Sequence, residues 1–287
     1  MSVFHLVDVF AVERYAGNQL AVVESNGELE DAEMGAIAAE LGFSETTFVE
    51  STASDGARVR IFTPTDEIPF AGHPTLGTAH ILRERLLKGR PERVVLDLNV
   101  GDVPVEVEES DDGDVLWMRQ QPPTFGQCLD REALAAVLGL EREAIAEEAP
   151  VQIVSTGLPT IVVPLRNRSA LTSARIDTEA YDRLTADREA KNILAYCRNP
   201  RMDRNDLAVR VFAPGLGVPE DPATGSSNGC LAAFLVRYGN TPVTARVEQG
   251  YELGRPSLIH VDARDRGDSI EVSVGGRVID VGRGELY

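Results

Sequence analysis

Three ionisable side chains in this chain could move a proton on a small substrate. Glu45 lies between a predicted helix and a predicted strand, His73 directly follows Gly72, and Asp221 precedes Pro222. Taken one at a time, each has an ordinary structural explanation: a surface carboxylate, a hydrogen-bonded polar side chain and a turn-forming residue. Taken together, two carboxylates and an imidazole are a set of proton donors and acceptors of the kind that general acid–base catalysis uses.

Two turns rich in small residues could bind the acidic group of such a substrate. Residues 71–77 (AGHPTLG) open one predicted helix, and residues 223–229 (ATGSSNG) open another. The first N–H groups of a helix have no partner within the helix, and this positive end favours a carboxylate or a phosphate. Each turn alone is better explained as an ordinary helix start. Their duplication gives the anion-binding interpretation about equal weight.

The turns belong to a longer internal repeat. Residues 60–64 (RIFTP) recur as residues 210–214 (RVFAP), and each copy leads through a loop with a proline and an acidic residue to its glycine turn. The repeat predicts two similar domains related by a pseudo-twofold axis, with a ligand site in the cleft between them.

The elements that must position these residues are mostly strands. Many short apolar runs with few helical segments predict an α+β fold. We expect Asp31 to be the N-cap of a helix that ends before Gly42, and further helices over residues 74–87 and 225–238. The acidic segment 108–114 predicts an exposed hairpin turn.

A domain boundary is expected at Pro122-Pro123, because this dipeptide can continue neither a helix nor a central strand. The predicted N-terminal domain is residues 1–122, and the predicted C-terminal domain is residues 123–287. The last strand of the chain could return to the first domain.

Charge and composition exclude several classes of function. The 287 residues include 46 acidic and 28 basic side chains, for a net charge of −18, and two of the basic residues are lysines. Such a chain should be repelled by nucleic acid and by anionic membranes. An acidic, lysine-poor surface also suits a cell with high internal salt. Three widely spaced cysteines without a C-x-x-C motif fit a reducing compartment, so we expect a cytoplasmic protein.

Competing motifs are incomplete. Residues 225–229 (GSSNG) match the G-x-S-x-G pattern of serine hydrolases, but the residues before Ser227 do not predict the required strand, and the histidine that follows is His260. Residues 215–217 (GLG) lack the third glycine of a dinucleotide fingerprint. Cys230 starts an apolar helical run and fits a small core residue. We therefore expect no cofactor and no metal.

The order of motifs resembles the PhzF phenazine-biosynthesis-like family. The matching segments are VDVF (7–10), AGN (16–18), ETTF (45–48), FAGHPT (70–75), EDPATGS (220–226), QG (249–250) and GRPS (254–257). The resemblance implies the diaminopimelate epimerase-like fold, in which each of two similar domains is a barrel-like sheet around a central helix. It also implies a cofactor-independent isomerase that forms a cytoplasmic homodimer.

The same resemblance assigns roles to residues. In the phenazine enzyme the substrate is trans-2,3-dihydro-3-hydroxyanthranilate, and a glutamate that matches Glu45 moves a proton between two ring carbons. The resemblance implies that His73 and Asp221 contact substrate and assist proton transfer. Substrate-binding positions are Gly72, Gly225, Ser226 and Asn18. Related racemases carry a thiol in each turn, where this chain has Ala71 and Thr224, so a two-thiol mechanism is disfavoured.

Three hypotheses stay open at this level. The first is an isomerase that moves a proton on a small carboxylated substrate. The second is an epimerase or racemase of an amino-acid-like substrate that works without thiols. The third is a non-catalytic protein that binds a small anion.

Overall fold

The computed structural model describes residues 1–109, 113–239 and 241–287. Its strands are β1 (Ser2–Val9), β2 (Asn18–Glu24), β3 (Thr46–Thr52), β4 (Gly56–Phe62), β5 (Glu67–Ile68), β6 (Arg93–Leu98), β7 (Gly101–Glu108), β8 (Val115–Arg119), β9 (Thr124–Leu129), β10 (Val151–Ser155), β11 (Pro159–Pro164), β12 (Asn192–Cys197), β13 (Leu207–Ala213), β14 (Val218–Asp221), β15 (Val243–Gln249), β16 (Ser257–Asp265), β17 (Ile270–Gly276) and β18 (Val278–Leu286).

The helices are fewer and mostly short. They are α1 (Asp31–Leu41), α2 (Gly72–Ile81), α3 (Arg131–Val137), α4 (Arg168–Ser173), α5 (Thr178–Thr185) and α6 (Gly225–Gly239). A π-helical turn, Leu82–Leu86, continues α2, and short 3₁₀ turns occupy Arg142–Ala144, Pro214–Leu216 and Tyr251–Leu253. The α+β fold class is therefore confirmed.

The chain forms two compact units. Unit 1 contains residues 1–119 and 275–287, and unit 2 contains residues 120–274. In unit 1 the final strand β18 pairs antiparallel with the first strand β1. The division of the chain into domains of residues 1–122 and 123–287 stays a prediction.

The strand pairing of unit 1 alternates between hairpins and parallel crossovers. β18, β1 and β2 pair antiparallel, β2 pairs parallel with β3, and β3 pairs antiparallel with β4. β4 pairs with the short β5 and, in parallel, with β6, which continues antiparallel into β7 and β8. Helix α2 packs against β1, β2, β3, β6, β7, β8 and β18, so it is the central helix of this sheet.

Unit 2 repeats the same order of pairings. β9, β10 and β11 pair antiparallel, β11 pairs parallel with β12, and β12 pairs antiparallel with β13. β13 pairs with the short β14 and, in parallel, with β15, which pairs antiparallel with β16. Helix α6 packs against β10, β11, β12, β15 and β16. The repeat in the sequence thus reflects the same topology formed twice.

Both central helices are largely buried, and the exposed residues of α6 are its last three, 237–239. Eight of the ten residues of α2 and eleven of the fifteen of α6 are buried. Gly77 shows how closely α2 packs, because an added Cβ would lie 2.5 Å from Leu20 Cδ2 and 2.9 Å from Val9 Cγ2. A helix that lies inside a curved sheet has no solvent-facing side, which explains why neither helix shows a polar face in the sequence.

The ends of several elements differ from the sequence prediction. Helix α1 begins with Asp31 as its first residue, and Glu30 occupies the N-cap without a side-chain cap bond. Gly42 ends this helix in the left-handed conformation (φ 66°), as predicted. Helix α2 begins at Gly72, two residues earlier than predicted. The acidic segment 108–114 joins the paired strands β7 and β8, but residues 110–112 of it lie outside the described residues. In the described parts of the chain, no helix is long and apolar enough to cross a membrane.

Candidate active site

Three of the predicted site residues meet in unit 1. Asn18 begins β2, Glu45 directly precedes β3, and His73 lies in the first turn of α2. Because β2 and β3 pair in parallel beside α2, their beginnings lie at the same end of the sheet. Asn18 Nδ2 lies 3.4 Å from His73 Nδ1, and Glu45 Oε2 lies 3.5 Å from His73 Nε2. The sequence grouped these residues by type, and the structure brings them into contact.

This group is largely removed from water. His73 is 7% exposed, and the side chain of Glu45 is 19% exposed. The Glu45–His73 contact is too long to be a good hydrogen bond. The arrangement is therefore a partly exposed carboxyl group packed against a buried imidazole.

Burial controls the protonation of His73. Desolvation lowers the pKa of the His73 imidazole to about 3, and a hydrogen bond to the backbone of Gln19 acts in the opposite direction. Such a bond raises a histidine pKa when a ring N–H donates to the carbonyl. Nε2 has no hydrogen-bond partner among the described residues, so we assign the donating proton to Nδ1. Asn18 Nδ2, which is also a donor, then contacts Nδ1 without a hydrogen bond. The neutral ring then turns the Nε2 lone pair towards Glu45.

The stability of the protein should reflect this buried neutral histidine. Between pH 6.5 and pH 3 the unfolded chain binds a proton at His73 that the folded chain does not, so stability should fall as pH falls through this range. From pH 7.5 to pH 4, the free energy of unfolding of the native protein should fall by about 3 kcal/mol more than that of a His73→Gln variant. Urea unfolding of both proteins at a series of pH values measures this difference, and parallel pH profiles would contradict the assignment.

Of the four other predicted residues, Gly72 begins α2 in unit 1, and three meet at one turn of unit 2. Asp221 ends β14, Gly225 begins α6, and Ser226 follows it. The Thr224 hydroxyl donates a short hydrogen bond to Asp221 Oδ2. A buried amide that the sequence reasoning did not assign to the site, Gln249 at the end of β15, donates to Thr224 Oγ1 (2.9 Å) and to the Asp221 carbonyl (2.8 Å). Its signal in the sequence was the QG pair, which appeared in the family resemblance without a role.

The two turns are built alike. In unit 1 the Thr75 hydroxyl donates to the carbonyl of Ala71 (2.7 Å), and in unit 2 the Asn228 amide donates to the carbonyl of Thr224 (2.9 Å). In both cases a side chain four residues into the turn bonds to the carbonyl just before the helix. Ala71 has no cap side chain, so no N-cap bond occupies the first N–H groups of α2. Anion binding at this helix end stays a prediction.

A duplicated arginine–glutamate pair fixes the strand before each turn. Arg60 binds Glu67 through Nε (2.8 Å) and Nη2 (2.6 Å), and Arg210 binds Glu220 through the same atoms (2.8 and 2.7 Å). The Arg60 hydrogen bond holds the pKa of the Glu67 carboxyl below its usual value. Bidentate pairs of this kind are geometrically specific. Both arginines open the repeated segment, so the repeat itself was the signal for these residues.

The residues that a serine hydrolase, a cysteine nucleophile or a metal site would need are not placed for those roles. Ser227 is fully buried and pairs with the Thr160 hydroxyl (3.0 Å), which is not the exposed position of a nucleophile elbow. Cys230 is buried in α6, and burial raises the pKa of its thiol, so it stays an unreactive thiol. Among the described residues, no group of three or more His, Cys, Asp or Glu side chains could hold a metal ion.

Comparisons with known proteins agree on one family. The model of the phenazine biosynthesis-like (PhzC–PhzF) family matches residues 7–284. A trans-2,3-dihydro-3-hydroxyanthranilate isomerase of Pseudomonas aeruginosa is 35% identical over 98% of this chain and 98% of its own. A PhzF-family phenazine biosynthesis protein of Bacillus anthracis has a similar structure, with a TM-score of 0.93, 26% identity and coverage of 100% and 99% of the two chains. The structure of a predicted epimerase of Pseudomonas aeruginosa matches with a TM-score of 0.79, 32% identity and coverage of 100% and 99%.

Proposed function

Since the chain belongs to the phenazine biosynthesis-like family and is an isomerase of the PhzF type, we propose that it moves a proton between two carbon atoms of a small carboxylated substrate without a cofactor. The observation that carries this proposal is the contact of Glu45 with a neutral, buried His73 beside the start of α2. A carboxyl group in this setting can take up a proton, hold it and return it.

In the proposed reaction Glu45 removes a proton from a substrate carbon, and the electron pair of that C–H bond shifts into the conjugated system of the substrate. The protonated Glu45, whose side chain is 19% exposed and can exchange its acid proton with solvent, then delivers a proton to a second carbon, and the double bonds end in a new position. Nothing is oxidised, and no group leaves. The lone pair of His73 Nε2 faces Glu45 Oε2, so it can accept a hydrogen bond from the carboxyl while the proton is held.

The other predicted site residues have binding roles in this proposal. Gly72, Gly225 and Ser226 lie at helix starts, where N–H groups can bind the carboxylate and other polar groups of the substrate. Asn18 lies against the His73 ring, with its amide nitrogen 3.4 Å from Nδ1, and is a candidate to bind a polar group of the substrate. Asp221 accepts a hydrogen bond from the substrate or assists proton transfer. The homodimer, the cytoplasmic location and the high-salt habitat that the sequence suggests remain predictions.

The first probe is the compound named in the relative, trans-2,3-dihydro-3-hydroxyanthranilate. In D₂O we expect its double bonds to move without an added cofactor, with solvent deuterium entering at the carbon that receives the proton. Proton NMR follows both changes. A panel of unsaturated cyclic amino and hydroxy acids extends the search if this compound is not accepted. Binding across the panel without turnover or exchange would overturn the proposal in favour of a non-catalytic binding protein.

A thiol-independent epimerase is the second candidate, because one similar structure is that of a predicted epimerase. Epimerisation would exchange the hydrogen at a single carbon and invert it, whereas isomerisation moves a double bond. Chiral chromatography of the products, together with the position of the deuterium, separates the two reactions.

A further inference from the structure

A buried amide next to the unit 2 turn controls the direction of a chain of hydrogen bonds. Gln249 is 1% exposed and ends β15. Its Oε1 atom accepts from the Thr224 N–H (3.2 Å) and from Asn228 Nδ2 (2.9 Å). Its Nε2 atom donates to the Asp221 carbonyl (2.8 Å) and to Thr224 Oγ1 (2.9 Å). Both ends of the amide are therefore fully engaged.

The backbone determines which end of this amide is oxygen. The N–H of Thr224 can only donate, so the atom that it meets must be Oε1. The carbonyl of Asp221 can only accept, so the atom that it meets must be Nε2. The orientation of an amide side chain is usually inferred from ambiguous neighbours. Here two backbone atoms of opposite character define it.

The direction of the Thr224 hydroxyl follows from the amide. Gln249 Nε2 has no lone pair to offer, so Thr224 Oγ1 must be the acceptor in their hydrogen bond. A hydroxyl carries one hydrogen, and this hydrogen is therefore free to point to Asp221 Oδ2. A hydrogen bond donated to a carboxylate stabilises its ionised form.

We propose that Gln249 is a positioning residue that directs the Thr224 hydroxyl to Asp221 and so holds Asp221 as an ionised hydrogen-bond acceptor. The inference rests on the proposed function for the statement that Asp221 touches the substrate, and on the hydrogen bonds alone for the direction of the chain. Unit 1 has Ala71 at the position of Thr224, and alanine has no hydroxyl, so the hydroxyl-to-carboxylate hydrogen bond exists in one half of the repeat. The repeat has therefore diverged: the unit 1 turn carries His73, which contacts Glu45, and the unit 2 turn holds a fixed acceptor.

Three carboxylates near this turn have partners of their own. Glu220 on β14 pairs with Arg210 on β13. Glu248 on β15 accepts from the N–H groups of Arg201 and Met202 (2.6 and 2.8 Å) and from the amide of Asn205. Glu252, in the turn after β15, pairs with Arg201. Substituting Thr224 removes none of these pairs, so a change in the titration of Asp221 would report the loss of the hydroxyl.

The experiment measures the Asp221 carboxyl directly. Protein labelled with ¹³C at the aspartate carboxyl carbons is titrated by NMR, and the Asp221 signal is identified by its loss in Asp221→Asn. We expect Thr224→Val to raise the midpoint by about one pH unit, the equivalent of one hydrogen bond to a charged group. Thr224→Ser should leave it close to the native value. Thr244→Val, at an exposed threonine that donates to Asp262, is the matched control and should leave Asp221 unchanged.

The role of Gln249 is tested by combining variants. In a Gln249→Met background nothing directs the hydroxyl, so Thr224→Val should shift the Asp221 midpoint by much less than in the native background. Gln249→Glu, which keeps the oxygen that accepts from the Thr224 N–H, replaces this background if Gln249→Met does not fold. Equal shifts of Asp221 in both backgrounds would overturn the proposal, as would an unchanged midpoint in Thr224→Val itself.

An activity assay separates this inference from the proposed function. With a substrate that is turned over, Thr224→Val should raise KM about tenfold with a smaller effect on kcat, and Thr224→Ser should restore KM. If no substrate is turned over but the titration gives the expected shifts, the proposed function fails while the positioning of Asp221 by Gln249 stands. If substrate is turned over and the Asp221 midpoints do not move, the proposed function stands and the positioning of Asp221 by Gln249 fails.

Discussion

Replacing Glu45 by glutamine should reduce turnover by about 10²–10⁴-fold and should remove solvent deuterium exchange to the same degree. The amide has the shape of the carboxyl group but cannot take up a proton. The proposed reaction uses Glu45 both to remove the proton and to return it, so a single substitution blocks both halves. The exchange assay in D₂O with trans-2,3-dihydro-3-hydroxyanthranilate, or with the compound that the panel identifies, measures the loss.

Two variants make the Glu45 result specific. Glu45→Asp keeps the carboxyl group but withdraws it by one methylene, so we expect it to recover part of the activity. Glu40→Gln makes the same chemical change at an exposed position of α1, and its rate should equal that of the native protein. If Glu45→Gln exchanged deuterium at the native rate, Glu45 would not be the proton carrier, and His73 would take its place as the candidate.

Gly250→Ala should cause a large loss of stability next to the unit 2 turn. Gly250 has φ +79°, and an added Cβ would lie 2.3 Å from the carbonyl oxygen of Arg255 and 2.5 Å from that of Pro222. Both neighbours are backbone atoms and cannot turn aside. Left-handed strain and the steric conflict together should lower the free energy of unfolding by about 3 kcal/mol or more. Because Pro222 follows Asp221, the substitution should also displace the turn and lower activity.

Gly254→Ala is the matched control for this prediction. Gly254 lies at the other end of the same 3₁₀ turn with a similar φ of +68°, but no atom lies within 4 Å of the added Cβ. It therefore carries the backbone strain alone, which costs about 1–2 kcal/mol. Urea unfolding of the two variants measures the difference. Equal destabilisation would show that the close approach of Gly250 to Pro222 and Arg255 does not constrain the turn.

The repeat was the part of the fold that the sequence revealed best. Residues 60–64 and 210–214 pointed to two similar halves, and the pairings of β1–β7 and β10–β16 follow one order. Gly42 marked the end of α1 because a left-handed residue at that position depends only on the local backbone. The short strands β5 and β14 were not predicted. Each is held by a bidentate pair, Arg60–Glu67 and Arg210–Glu220, that joins positions separated by a loop.

The residues of the site were predictable, but the contacts and hydrogen bonds between them were not. Asn18, Glu45 and His73 were all candidates by type and motif, and they lie far apart in the chain. Their contact depends on the parallel pairing of β2 with β3 around α2. Gln249 carried no chemical signal of its own, because a glutamine is informative only when the atoms it meets are known. Those atoms belong to residues 221–228, which precede it by more than twenty positions.

The sequence by itself determined which groups are available: the carboxyl of Glu45, the imidazole of His73, the carboxyl of Asp221 and the glycine turns that open two helices. These follow from residue type and local backbone preference, which act over a few neighbouring positions. Only the tertiary structure decided the state in which the groups are held. His73 is neutral because the folded chain excludes water from its ring, and Asp221 receives a proton donor because a strand far along the chain places Gln249 behind Thr224. Desolvation and hydrogen-bond direction are properties of an environment that distant segments build together.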